Sequence, residues 1–229
     1  MRPTFAALAI GLSAFLSNTG TAQNDSTSHP AHGRISPREW IAPLGIAASA
    51  ALDPEIREWT LREHTHSLDQ LAKSVNPLGT AQRLVPALAV TYAAALLTHH
   101  ESLANGTLNT AAAYIASDLA ESVLKPVIGR ERPHVEGNSH RFHPFTTNGD
   151  WHSLPSAHVA HITAIAEAIA IQTNSTPLTA LGSGLVALVS WDRVYEDQHW
   201  TSDVAATIAI TSLITSATVR WLESRHERH

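Results

Sequence analysis

Cysteine is absent from the 229 residues. That excludes disulfide scaffolds, zinc–thiolate sites and thiol nucleophiles together. Aromatic side chains make up only 6% of the chain, charged ones 15%, and there is one methionine. Cations are scarce as well, with 15 Lys plus Arg against 20 Asp plus Glu, a formal net charge of −5. General nucleic-acid binding draws most of its affinity from phosphate neutralisation and does not suit such a chain. Any anion site must be a local cluster of cations. What the chain does have is a 44% apolar share, enough to bury a core and to exclude a wholly disordered state, and 15 histidines.

The N-terminus differs from the rest. Arg2 is followed by the apolar run 5–16 (FAALAIGLSAFL) and a polar stretch with small residues at Gly20 and Ala22. This is the layout of a secretory signal peptide cleaved after Ala22, and it predicts an exported, periplasmic or envelope-facing protein. Residues 1–22 are thus expected to be a signal, 23–35 a flexible linker and 36–229 one helical domain. The uncharged runs 84–98, 178–191 and 204–219 are each shorter than the roughly 20 residues of a membrane span. They are rich in Ala, Thr and Ser, and they read as the interior of a soluble bundle. Mean hydropathy is −0.05, in the same sense. The reading admits association with a membrane surface and assigns no oligomeric state.

Apolar residues recur at helical spacing, and alternating strand patterns are scarce. Helices are expected over about 36–51, 53–63, 67–75, 80–100, 107–124, 156–172, 177–191 and 202–223. Asp53-Pro54-Glu55 reads as the N-cap, N1 proline and acidic first turn of the second of these. The fold class is all-α, one helical bundle. A loop over 129–154 carries four histidines, and a loop of that length in a compact helical domain points to function.

Three clusters carry chemistry. The first runs from Lys125 to Pro133 and puts Lys125, Arg130 and Arg132 within eight residues at a helix end. Basic residues there complement the helix dipole, and the same set offers a phosphate one point charge and planar forks. The second is Pro155-Ser156-Ala157-His158, just before an apolar-periodic run. It marks a helix N-terminus whose free N–H groups at Ser156, Ala157 and His158 favour an anion; the plain alternative is a serine cap with an incidental histidine. The third spans Arg193 to Asp203 and includes His199. Asp203 lies within reach of His199, and a carboxylate bonded to one imidazole nitrogen leaves the other as base or nucleophile. A surface His–Asp pair is the plain alternative.

Singly these clusters are weak. In this order and spacing, KxxxxxxRP, PSxH and RxxxxxHxxxD fix nine residues. The pattern resembles the type 2 phosphatidic acid phosphatase superfamily, whose fold is shared with bacterial class A acid phosphatases and vanadium haloperoxidases. The resemblance implies that Lys125, Arg132 and Arg193 bind phosphate, with Ser156 and the Ala157 N–H adding hydrogen bonds. It implies that His158 is the general acid, that His199 attacks phosphorus to form a phosphohistidine, and that Asp203 orients His199. Three cations and a helix N-terminus can stabilise a transferring phosphoryl group, and no metal or other cofactor is called for. The implied partner is a phosphorylated lipid or small-molecule substrate, not nucleic acid.

Two positions depart from the family pattern. Ala157 stands where glycine is usual, which fits if the backbone there is ordinary helical N-terminus. Asp192 stands where serine is usual, and a carboxylate there lowers phosphate affinity unless it points away or pairs with a cation. Three rival readings stand beside the phosphatase. One is a vanadium-dependent haloperoxidase with vanadate at His199. Another is a metal-dependent hydrolase using His134, His140, His143, His152, His158, His161 and His199, with Asp203 able to join them. The third is a non-catalytic phosphate- or lipid-binding envelope protein.

Overall fold

A computed structural model describes residues 41–226 of the chain. The expected signal peptide and linker lie outside the described residues. The elements are α1 (Ile41–Arg62), α2 (His66–Val75), α3 (Ala81–Leu97), α4 (Glu101–Ile128), the single turn α5 (Pro133–Glu136), α6 (Ala157–Thr173), α7 (Thr176–Tyr195) and α8 (Thr201–His226). Short 3-10 turns occupy Asn76–Gly79 and Gly149–Trp151. Among the described residues there is no strand, only an isolated bridge between Arg130 and Phe142. The all-α expectation holds.

Helix α6 is the axis of the bundle and packs on α4, α7 and α8. Its sequence explains this. Val159, Ala160, Ile162, Ala164 and Ala168 are buried, and small residues let neighbouring backbones come close. A Cβ added at Gly182 of α7 would stand 2.9 Å from the Ala166 Cβ. The main core joins Val159 and Ile162 to Val75, Val186, Val189, Val204 and Ile208. Each such side chain contributes on the order of 1.5–3 kcal/mol when fully buried.

Chain punctuation follows local chemistry. Thr65 caps α2 by accepting from the Leu68 N–H. Helix α4 stops at Gly129, whose φ is +60°, and the Gly129 N–H closes on the Lys125 carbonyl at 2.9 Å. A side chain there would meet the His143 carbonyl oxygen, so the loop folds tightly over the helix end.

Two expectations are corrected. The segment expected as two helices, broken at Asp53-Pro54, is the single helix α1 with Pro54 inside it. Asp53 does not cap its own helix, because its carboxylate is taken by Ser202 and Arg130. The run 84–98 is not bundle interior. Helix α3 buries only Ala95 and exposes Val85, Val90, Leu96 and Leu97. It packs against α4 and the Asn76–Gly79 turn, leaving its other faces uncovered. An apolar stripe on α4 (Leu108, Ile115, Leu119, Val123, Val127) is also exposed. Helix α8 over Thr201–Arg225 is long and apolar enough to cross a membrane, with 56% of its window buried in the bundle.

Candidate active site

The three sequence clusters meet where α4, α6, the α7–α8 connection and the long loop converge. Lys125 sits in the last turn of α4, paired with Glu121 one turn back. Arg132 reaches from the loop. Its Nε donates to the Gly149 carbonyl at 3.0 Å and its Nη1 to Gln198 Oε1 at 2.7 Å. Arg193, near the end of α7, is buried. The charges of Lys125, Arg132 and Arg193 act on both His158 and His199.

Their effect on the imidazoles has a definite sign. Burial, and then Arg193 with the other cations, holds His158 down to about 4. Burial, followed by Arg132 and Lys125, holds His199 well below the ordinary histidine value. Burial, followed by Arg193, also lowers Arg132. Cations crowded this closely repel each other, and an anion relieves the repulsion.

Ser156 is the N-cap residue of α6, with φ −88° and ψ 116°. The Ser156 N–H does not point at the site as expected; it donates to Thr207 Oγ1 at 2.9 Å. Ala157 and His158 lie in the first helical turn, where N–H groups have no intrahelical acceptor. Ala157 has ordinary helical backbone, so the usual glycine is not required. Ser156 Oγ and His158 Nε2 are buried without a protein hydrogen-bond partner. Behind His158 stands Gly79, where a Cβ would come within 2.7 Å of the His158 Cβ.

His199 is 4% exposed, and its Nδ1 lies 2.5 Å from the Ser153 carbonyl oxygen. A carbonyl only accepts, so Nδ1 carries the proton and the Nε2 lone pair is free. The expected direct bond between Asp203 and His199 is replaced by a relay. Asp203 accepts from Ser153 Oγ at 2.5 Å, from the Trp200 N–H at 2.9 Å and from Arg130 Nη1 at 2.5 Å. Asp203 thus holds Ser153, and the Ser153 carbonyl holds His199.

Arg130, grouped by sequence with the phosphate cations, turns inward instead. Its guanidinium binds Asp53 Oδ2 at 2.9 Å, Ser202 Oγ at 2.8 Å and the Ser139 carbonyl at 2.8 Å as well as Asp203. Asp192 pairs with a cation, one of the two outcomes under which it spares anion affinity. It accepts from Arg193 Nε at 2.8 Å, and burial pushes its carboxyl up against the pull of that arginine. Sequence reading missed Asp53, Ser153, Gly79 and the inward role of Arg130, because each acts through a partner distant in sequence.

The remaining histidines are engaged locally. His161 bonds Asp118 Oδ1 at 2.7 Å and the Gly79 carbonyl at 3.1 Å. His134 meets the Asp197 carbonyl, His152 the Thr146 carbonyl, and His143 lies edge-on to Trp151. His140 is an exposed loop residue. Among the described residues no three His, Asp or Glu side chains stand together as a metal-ligand set.

Helices in this order, with cations and two imidazoles gathered at the α6 N-terminus, define a phosphoric ester hydrolase when set beside known proteins. The model of the PAP2 superfamily matches residues 106–227, more than half of the chain, and the chain belongs to that superfamily. The fold is similar to a crystal structure described as the first transmembrane PAP2 type phosphatidylglycerolphosphate phosphatase from Bacillus subtilis. The TM-score is 0.62 and the identity 18%, over 80% of this chain and 94% of that one. No curated protein sequence matches. Helix α1, with Asp53, lies outside the matched segment.

Proposed function

We propose that this chain is a membrane-associated, exported phosphatase that hydrolyses a lipid phosphate monoester through a phosphohistidine at His199. The observation that carries the reading is the gathering of Lys125, Arg132 and buried Arg193 with two imidazoles at the α6 N-terminus, where Ser156 Oγ and His158 Nε2 are buried without a protein partner. Lys125, Arg132 and Arg193 neutralise the phosphoryl oxygens, and Ser156 Oγ and the Ala157 N–H add hydrogen bonds. His199 Nε2 attacks phosphorus, and the bond from phosphorus to the leaving oxygen breaks. That oxygen takes its proton from protonated His158. Water then attacks the phosphohistidine, the P–N bond breaks, and His158 takes the water's proton.

Membrane association is supported by the exposed apolar side chains of α3 and the stripe on α4. The stripe from Leu108 to Val127 is roughly 29 Å long at 1.5 Å per residue, close to the hydrocarbon thickness of a bilayer. Export is supported by the signal-like layout of residues 1–22.

The test is phosphate release from a long-chain lipid phosphate in detergent micelles and from p-nitrophenyl phosphate, with EDTA present. Expected is EDTA-resistant release that vanadate blocks, faster on the lipid. Release abolished by EDTA and restored by a divalent metal contradicts the mechanism. Equal rates on the two esters contradict the lipid assignment.

A further inference from the structure

We propose that α1 is a working part of the catalytic site, in which Asp53 and Arg57 are positioning residues for His199; the inference rests on the phosphatase reading for its kinetic consequences alone. Helix α8 begins at Thr201, and the residue in the cap position before it is Trp200. A tryptophan has no oxygen with which to cap. Half of a capping box is nevertheless present, since Asp203 reaches back to the Trp200 N–H at 2.9 Å. The other half comes from a different helix. Asp53 Oδ1 accepts from the Ser202 N–H at 2.9 Å, as a cap side chain would. Asp53 Oδ2 accepts from Ser202 Oγ at 2.5 Å and from Arg130 Nη2 at 2.9 Å. Asp53 is therefore the N-cap of α8 supplied across the bundle, 149 residues away in sequence.

One helical turn on, Arg57 grips the connection itself. Its Nε and Nη2 donate to the two oxygens of Asp197, each at 2.8 Å. Asp197 has φ +54°, a left-handed conformation uncommon outside glycine and, among other residues, most accessible to Asn, Asp and His. His199 lies between Asp197, held by Arg57, and Ser202, held by Asp53. Both anchor points belong to one helix, α1. Arg130 ties Asp53 to Asp203, which holds Ser153, whose carbonyl fixes the His199 tautomer. This chain of bonds contacts no substrate. It sets where Nε2 points and keeps its lone pair available.

The experiment compares the full-length chain with Asp53→Asn, Arg57→Ala and the conservative Arg57→Lys, which keeps a cation facing Asp197. Turnover on p-nitrophenyl phosphate and the nitrogen chemical shifts of the His199 imidazole are both measured, under conditions where circular dichroism shows each variant folded. Misplacing a reacting group by an ångström costs on the order of 10²-fold in rate. Asp53→Asn and Arg57→Ala are expected to lower kcat by about that factor, with KM little changed because the phosphate-binding cations are untouched. The His199 nitrogens are expected to lose the single-tautomer pattern in Asp53→Asn, and Arg57→Lys to retain part of the kcat lost in Arg57→Ala. A fall in thermal stability with kcat and the tautomer both unchanged would overturn the inference. Wild-type protein without turnover sinks the phosphatase reading instead, and the imidazole shifts alone then decide the role of Asp53.

Discussion

At the scale of the residue, His158 holds the tension that the site exists to resolve. A general acid must carry a proton, yet burial and three cations hold this imidazole down to about 4 in the free protein. A bound phosphoryl group brings opposing negative charge and raises it again. The profile of kcat/KM reports the free protein and that of kcat the complex. The alkaline limb of kcat is therefore expected at higher pH than that of kcat/KM. Two profiles between pH 3.5 and 8 check this, and coincident limbs contradict it. The sign for stability is also set. The unfolded chain takes up this proton near the ordinary value of 6.5, the folded one only near 4. The free protein thus loses stability as pH falls from 6.5 toward 4. At this scale the sequence was legible where chemistry is local. The spacings place Lys125, Arg132, His158, Arg193 and His199 in one site because each motif lies at a helix end. It was not legible where a side chain has a choice of partners. Asp203 lies four residues from His199 but turns to the Trp200 N–H and to buried Arg130 instead.

At the scale of the element, Arg130 joins α1, the long loop and α8 in one buried network. Asp53 and Asp203 are both sealed from solvent, so removing their shared cation leaves two carboxylates uncompensated. Breaking a buried pair from one side costs about 3–5 kcal/mol. Arg130→Met is expected to lower the unfolding free energy by about that amount, read from the urea midpoint at pH 7. A change within about 0.5 kcal/mol, ordinary for a surface site, would contradict the network. Helical periodicity placed α2, α3, α6, α7 and α8 to within a few residues, but it clipped α4, expected over 107–124 and observed over Glu101–Ile128. It failed at α1, where Asp53-Pro54-Glu55 carries every local mark of a helix start. The marks were real, but the carboxylate serves another helix's start.

At the scale of the whole molecule, the bundle buries α6 on three sides and leaves α3 almost uncovered. Short uncharged runs look alike in sequence whether they fill a core or face outward. Composition therefore could not separate the run 178–191 of α7, which packs on α6, from the run 84–98 of α3; only the packing does. Under the proposed reading, the apolar outer surface and the cation-lined site would take a substrate with an apolar body and a phosphate head. The central claim is that this phosphate passes through a covalent bond to His199. The direct measurement is a rapid quench of the full-length protein with a substrate carrying a radiolabelled phosphoryl group, followed by mapping of the labelled peptide. The account predicts an acid-labile, alkali-stable label on the peptide containing His199, absent from His199→Ala. A label on any other residue, or turnover by His199→Ala at the wild-type rate, would contradict it.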